Sequence, residues 1–161
     1  MYKYQNILNI KLTWKTITLL SFLAIFTNIL SVYHITLFGI RIHFFQYLIF
    51  LAALIYGPIG GLISGAIGSI YTAIALNNPY IIIGNIILGT LFGLFIRLKW
   101  NLILAVLTAY IIQLPWLLYT DIYLVNMPIN IVKGIVIALF VSNILWAAVA
   151  GLTWKKVKSF V

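Results

Sequence analysis

The sequence predicts an all-α polytopic membrane protein: one integral domain over 1–161, a bundle of six transmembrane helices with both termini cytoplasmic. Three observations predict it. Apolar residues make up 65% of the 161 and charged residues 7%, against about 45–50% and about 25% in soluble domains. Ten Lys and Arg face a single acid, Asp121, for a formal charge of +9. No Asp, Glu, Lys or Arg occurs at 16–40, 42–96, 100–120 or 134–154. With a mean hydropathy of +1.18, such a chain cannot cover itself with a water-compatible surface, and lipid is its solvent.

The first silent run gives a helix over about 16–37. Lys3, Lys11 and Lys15 precede it, as in a secretory leader. Its apolar part is too long for one and no A-x-A-like cleavage site follows, so it is read as a retained helix. The run 42–96 has to fold back on itself. Tyr56-Gly57-Pro58 and Asn77-Asn78-Pro79 break it, leaving helices over 42–56, 59–77 and 80–96. The last two runs give 101–120 and 128–154.

The segment 42–56 spans only about 22 Å as a helix, against about 30 Å of hydrocarbon. Charge bias decides for it. With six spans, Lys3, Lys11, Lys15, Arg97, Lys99, Lys155, Lys156 and Lys158 fall inside, and only Arg41 and Lys133 fall outside. Five spans abolish that bias. Trp14, Trp100 and Trp154 then mark the inner interface, and Trp116, Tyr119 and Tyr123 the outer one. No internal repeat is evident, which argues against inverted-repeat transporters.

Composition also bounds the chemistry. Without cysteine there is no disulfide, thiolate nucleophile or cysteine metal site. One carboxylate with His34 and His43 makes no metal centre. No cofactor is expected on this chain, and the basic residues follow the positive-inside rule without implying nucleic acid. A membrane-embedded enzyme would want an acid–base pair or metal ligands at membrane depth. That reading and a small scaffold or assembly protein are the alternatives to a binding function without catalysis.

Gly57, Gly61 and Gly65 recur every four residues, and Gly89 and Gly93 repeat the spacing, which lets helix backbones approach closely in lipid. No Lys follows them as in a phosphate-binding loop. Polar residues gather in the outer halves of the last helices. Tyr110, Gln113, Leu117 and Thr120 share a face, beside Pro115 and Trp116; Pro115 is expected to kink the helix and open a wedge. Asn126, Asn130 and Lys133 follow at i, i+4, i+7, and Asn85 adds an amide from the fourth helix. Two readings stand side by side. Asp121 and Lys133 form a structural pair, or they line an outward cavity that grips a polar ligand. Trp116, Tyr119 and Tyr123 stack on a flat heterocycle or anchor the interface. His34, Arg41 and His43 read as residues of an external loop, and Trp146 as a packing residue.

The stretch from His43 to Gly68, with Tyr56-Gly57-Pro58-Ile59-Gly60-Gly61 at its middle, resembles the second and third helices of S components, the substrate-capture subunits of energy-coupling factor (ECF) vitamin transporters. Pro79 to Gly93 resembles their fourth helix. Met127-Pro128-Ile129-Asn130-Ile131-Val132-Lys133-Gly134 is similar to the start of their sixth. The resemblance implies a vitamin-like small-molecule substrate, a membrane coupling subunit and two ATPase subunits that use the ATP, all in the cytoplasmic membrane of a prokaryote. It implies a site at the outer ends of helices four to six, where Asn85, Gln113, Trp116, Tyr119, Asp121, Asn130 and Lys133 lie, capped by 34–41. It implies a small-residue docking face on the first helix, with Ser21 and Ala24 as candidates and Asn28 where a second alanine is usual. Acidic residues that riboflavin members carry near the start of the second helix are absent.

Overall fold

The structure is a computed structural model that describes residues 10, 13–37 and 40–160; Lys3 and Lys11 lie outside them. Helix α1 runs Trp14–Ser31, capped by the Thr13 side chain, which accepts from the Thr16 amide at 3.2 Å. It ends six residues short of the expected 37. Strands β1 (His34–Leu37) and β2 (Ile40–His43) follow, an antiparallel pair with His34 opposite His43 and Thr36 opposite Arg41. The His-Ile-Thr-Leu and Ile-Arg-Ile-His segments alternate polar and apolar side chains with the period of a strand rather than a helix.

Helix α2 (Phe45–Tyr56) is only 12 residues, about 18 Å long. Every one of its residues except Tyr47 is buried, and it packs on α1, α5, α7 and the segment after Gly57. A helix surrounded by protein has no lipid-facing face whose length must match the bilayer, which is how so short a span is stable here. Among the described residues, five other helical stretches are long and apolar enough to cross a membrane.

The third expected helix is broken. Helix α3 (Pro58–Gly68) and the short α4 (Ile70–Ala75) meet at Ser69. A break leaves orphan backbone groups, which are costly in lipid. Asn28 of α1 satisfies two of them: its Nδ2 donates to the Ile67 carbonyl at 2.6 Å and its Oδ1 accepts from the Tyr71 amide at 2.9 Å.

Helices α5 (Tyr80–Arg97) and α6 (Leu102–Tyr119) follow, and α6 runs through Pro115 into a π-helical turn, Thr120–Leu124. Helix α7 (Ile129–Lys158) is the longest. The two glycine stripes meet each other. A Cβ on Gly65 would lie 2.5 Å from the Asn85 carbonyl oxygen, and one on Gly93 would lie 2.6 Å from the Gly57 carbonyl carbon. Gly57 also turns the chain between α2 and α3 at φ 72°, a left-handed conformation glycine adopts without penalty. Below this seam the fully buried Phe50 and Phe92 pack edge to face at 4.8 Å.

The basic residues collect at one end. Trp14 and Lys15 lie against Phe160, Arg97 against Gly57, and Leu102 against Gly151. Lys15, Arg97, Lys99, Lys155, Lys156 and Lys158 therefore share the end that the positive-inside rule places in the cytoplasm. The hairpin, the π-turn and Lys133 occupy the other.

Candidate functional site

At the outer end the sequence-predicted residues divide into three separate settings. The first is the α5–α6 seam. Trp116 Nε1 donates to the Tyr80 carbonyl at 3.1 Å, and the two rings meet edge to face. Gln113 is buried beside Gly84, where a Cβ would lie 3.2 Å from its Nε2. Its Oε1 is buried with no protein partner among the described residues. Trp116 thus ties two helices together.

Asn85 faces elsewhere. It is buried and donates from Nδ2 to Ser69 Oγ at 2.8 Å, which donates in turn to the Gly65 carbonyl at 2.6 Å. This relay holds the α3–α4 break against α5.

The third setting bears on one of the two readings of Asp121 and Lys133, the structural pair, because Asp121 is held by Asn78. Asp121 is 6% exposed and accepts from Asn78 Nδ2 at 2.8 Å, while its carbonyl accepts from the Met127 amide. Asn78 Oδ1 also accepts from the Tyr80 amide at 3.1 Å. The acid therefore fastens the π-turn to the corner between α4 and α5. Asn130 and Lys133 lie on one face of α7, whereas Asn126, expected on that face, precedes the helix with a left-handed backbone, φ 58°; all three are exposed. Val132, between them in sequence, is fully buried. Tyr119 and Tyr123 are also exposed, with ring centroids 5.8 Å apart. On α1, Ser21 is exposed but Ala24 is 0% exposed.

A fourth polar group, between α2 and α7, was not anticipated. Ser142 Oγ donates to Gln46 Oε1 at 3.2 Å and to the His43 carbonyl at 3.4 Å, setting the foot of the hairpin on α7. Gln46 is 0% and Asn143 1% exposed. Gln46 Nε2, both side-chain amide atoms of Asn143 and Trp146 Nε1 are buried without a partner among the described residues. The Trp146 ring lies 4.9 Å from Phe44 and 6.0 Å from Tyr47. Above them the His34 and His43 rings face each other across the hairpin at 5.4 Å. On the α6 side, Tyr110 Oη donates to the Val136 carbonyl at 2.7 Å, and its ring approaches Phe140. Most buried polar groups in folded proteins are hydrogen-bonded, and these four atoms are exceptions among the described residues. A signal existed in the sequence: Gln46 is the one amide in 42–56, and Asn143 the one amide in 134–154.

No family model and no curated protein sequence matches this chain. A solved structure of the S component of a bacterial ECF transporter is similar to it in fold, with a TM-score of 0.67 over 91% of this chain and 96% of that one, at 18% identity. The chain is a multi-pass membrane protein with the fold of an S component, as the resemblance of its helices implied.

Proposed function

We propose that this chain is the substrate-capture subunit of an energy-coupling factor transporter, taking a vitamin-like micronutrient from outside the cytoplasmic membrane of a prokaryote. The observation that supports it most is the end-to-end similarity of fold to an S component. The outer end agrees with a binding role, because buried polar atoms without protein partners lie under a hairpin that caps the bundle. The chain carries no nucleotide-binding motif, and its one carboxylate is engaged by Asn78. It therefore has neither an ATPase of its own nor the membrane-centre carboxylates that ion-coupled carriers use. Energy has to come from a membrane coupling subunit and two ATPase subunits, and this chain's own task is binding.

Reconstitution tests this. Purified wild-type chain should carry a small molecule detectable by mass spectrometry. In vesicles without other proteins it should exchange that molecule but not concentrate it. Concentrative uptake driven by a proton or sodium gradient would overturn the reading.

A further inference from the structure

We infer that a groove at the cytoplasmic end, between the start of α1 and the end of α7, holds one anionic phospholipid of the inner leaflet. Its phosphate lies on Lys15 and its acyl chain runs along Leu19 and Phe22.

The groove has a volume of about 350 Å³ and is lined by Trp14, Lys15, Thr18, Leu19 and Phe22 of α1 and by Phe160 just past α7. Lys15, Thr18, Leu19 and Phe22 follow at i, i+3, i+4, i+7 and so share one face of the helix. Polarity falls in order along that face, from an ammonium through a hydroxyl to an aliphatic and then an aromatic side chain, over about 10 Å of helix. A glycerophospholipid in the inner leaflet changes in the same order from the surface inward: phosphate, ester, hydrocarbon. Phe26, its ring stacked on Phe22 at 5.2 Å, carries the apolar wall one turn deeper.

Charge selects among lipids. The single acid of the chain, Asp121, is held by Asn78 at the outer end, so no Asp or Glu side chain neutralises Lys15. Lys155, Lys156 and Lys158 close α7 just before Phe160, and they make the potential around the groove more positive. Basic recesses between helices on the cytoplasmic side attract anionic headgroups, whereas a zwitterionic headgroup brings a cation of its own into the same field. A free phosphate would satisfy Lys15 alone. Trp14, Phe22 and Phe160 are all exposed, and covering them takes a hydrocarbon chain attached to that phosphate.

The test uses the full chain, purified in mild detergent and titrated with phosphatidylglycerol or with phosphatidylcholine of the same acyl chains. Native mass spectrometry counts the bound lipid, and glycerol 3-phosphate serves as the headgroup-only probe. Wild type should hold one phosphatidylglycerol at least about fivefold more tightly than phosphatidylcholine, roughly the worth of one lysine at an anionic surface. It should not retain glycerol 3-phosphate. Lys15→Gln should abolish the preference, and Phe22→Ser should weaken both lipids alike. Lys156→Gln, at the same end but outside the groove lining, should keep the wild-type preference. Lys15 and Phe22 are exposed, so thermal unfolding without lipid should match wild type; should Lys15→Gln fail that check, Phe22→Ser decides. Equal retention of the two lipids by wild type overturns the inference, as does a preference that survives in Lys15→Gln. Equal loss in Lys156→Gln also overturns it, because it shows a diffuse field rather than a groove. A dimer mass in place of bound lipid, abolished by Phe22→Ser, gives the groove to a second copy of the chain and overturns it too.

Discussion

Asp121, the single acid of the chain, accepts a hydrogen bond from Asn78 Nδ2 at 2.8 Å, and both side chains are buried. The pair joins the π-helical end of α6 to the corner before α5. Removing one partner strands the other in a poorly hydrated place. Asp121→Ala should therefore lower the unfolding free energy by about 1.5–3 kcal/mol. Lys133→Ala, at an exposed position, should change it by less than about 0.5 kcal/mol. A double-mutant cycle in detergent checks the assignment. Asn78 and Asp121 should be coupled and Asp121 and Lys133 should not; the reverse would restore the ion pair.

The glycine seam makes a sharper demand. A Cβ on Gly61 would run into the Gly89 carbonyl, and backbone cannot swing aside as a side chain does. Gly61→Ala should destabilise by about 1–3 kcal/mol through overpacking. Gly134 on α7 has nothing within 4 Å of its would-be Cβ, so Gly134→Ala should be neutral or stabilising by up to about 1 kcal/mol. Thermal unfolding of the two variants side by side measures the contrast.

Asn28 is a local prop with a local readout. In Asn28→Leu the Tyr71 amide loses its partner at the α3–α4 break, and the Ile67 carbonyl keeps only the Ser69 amide. Leaving such groups unpaired costs about 1–3 kcal/mol. Hydrogen exchange at Tyr71 should accelerate by roughly five- to a hundred-fold, while amides in the middle of α5 keep wild-type protection. Unchanged exchange at Tyr71 would show that the bridge does not hold the break.

The absence of cysteine makes orientation directly testable. Asn126 and Ser159 are exposed at opposite ends of the bundle. In intact cells a membrane-impermeant maleimide should label Asn126→Cys and spare Ser159→Cys until the membrane is permeabilised. The opposite pattern would invert the topology.

The sequence carried the glycine stripes, the break positions and the charged end because each is a local property. Four-residue spacing places Gly61 and Gly65 on one helix face wherever that helix lies. Gly57-Pro58 and Asn78-Pro79 break the chain through their own backbone chemistry. The end of α1 at Ser31 was harder to see, since 32–37 is as free of charge as the helix before it. Only the alternation in His34–Leu37 and Ile40–His43 marks the hairpin.

What the sequence by itself determined was how the chain meets lipid: which stretches span, which end is basic, and which residues share a face along each helix. Bilayer thickness and the cost of charge in hydrocarbon impose those features segment by segment. Only the tertiary structure decided which face turns inward. In water a polar stripe announces the outside of a helix, but in a bundle whose lipid-facing and core-facing sides are both apolar that signal is missing. Hence Val132 rather than Lys133 points into the bundle, Asp121 finds Asn78, and two lone amides on distant segments, Gln46 and Asn143, lie on helices that pack together.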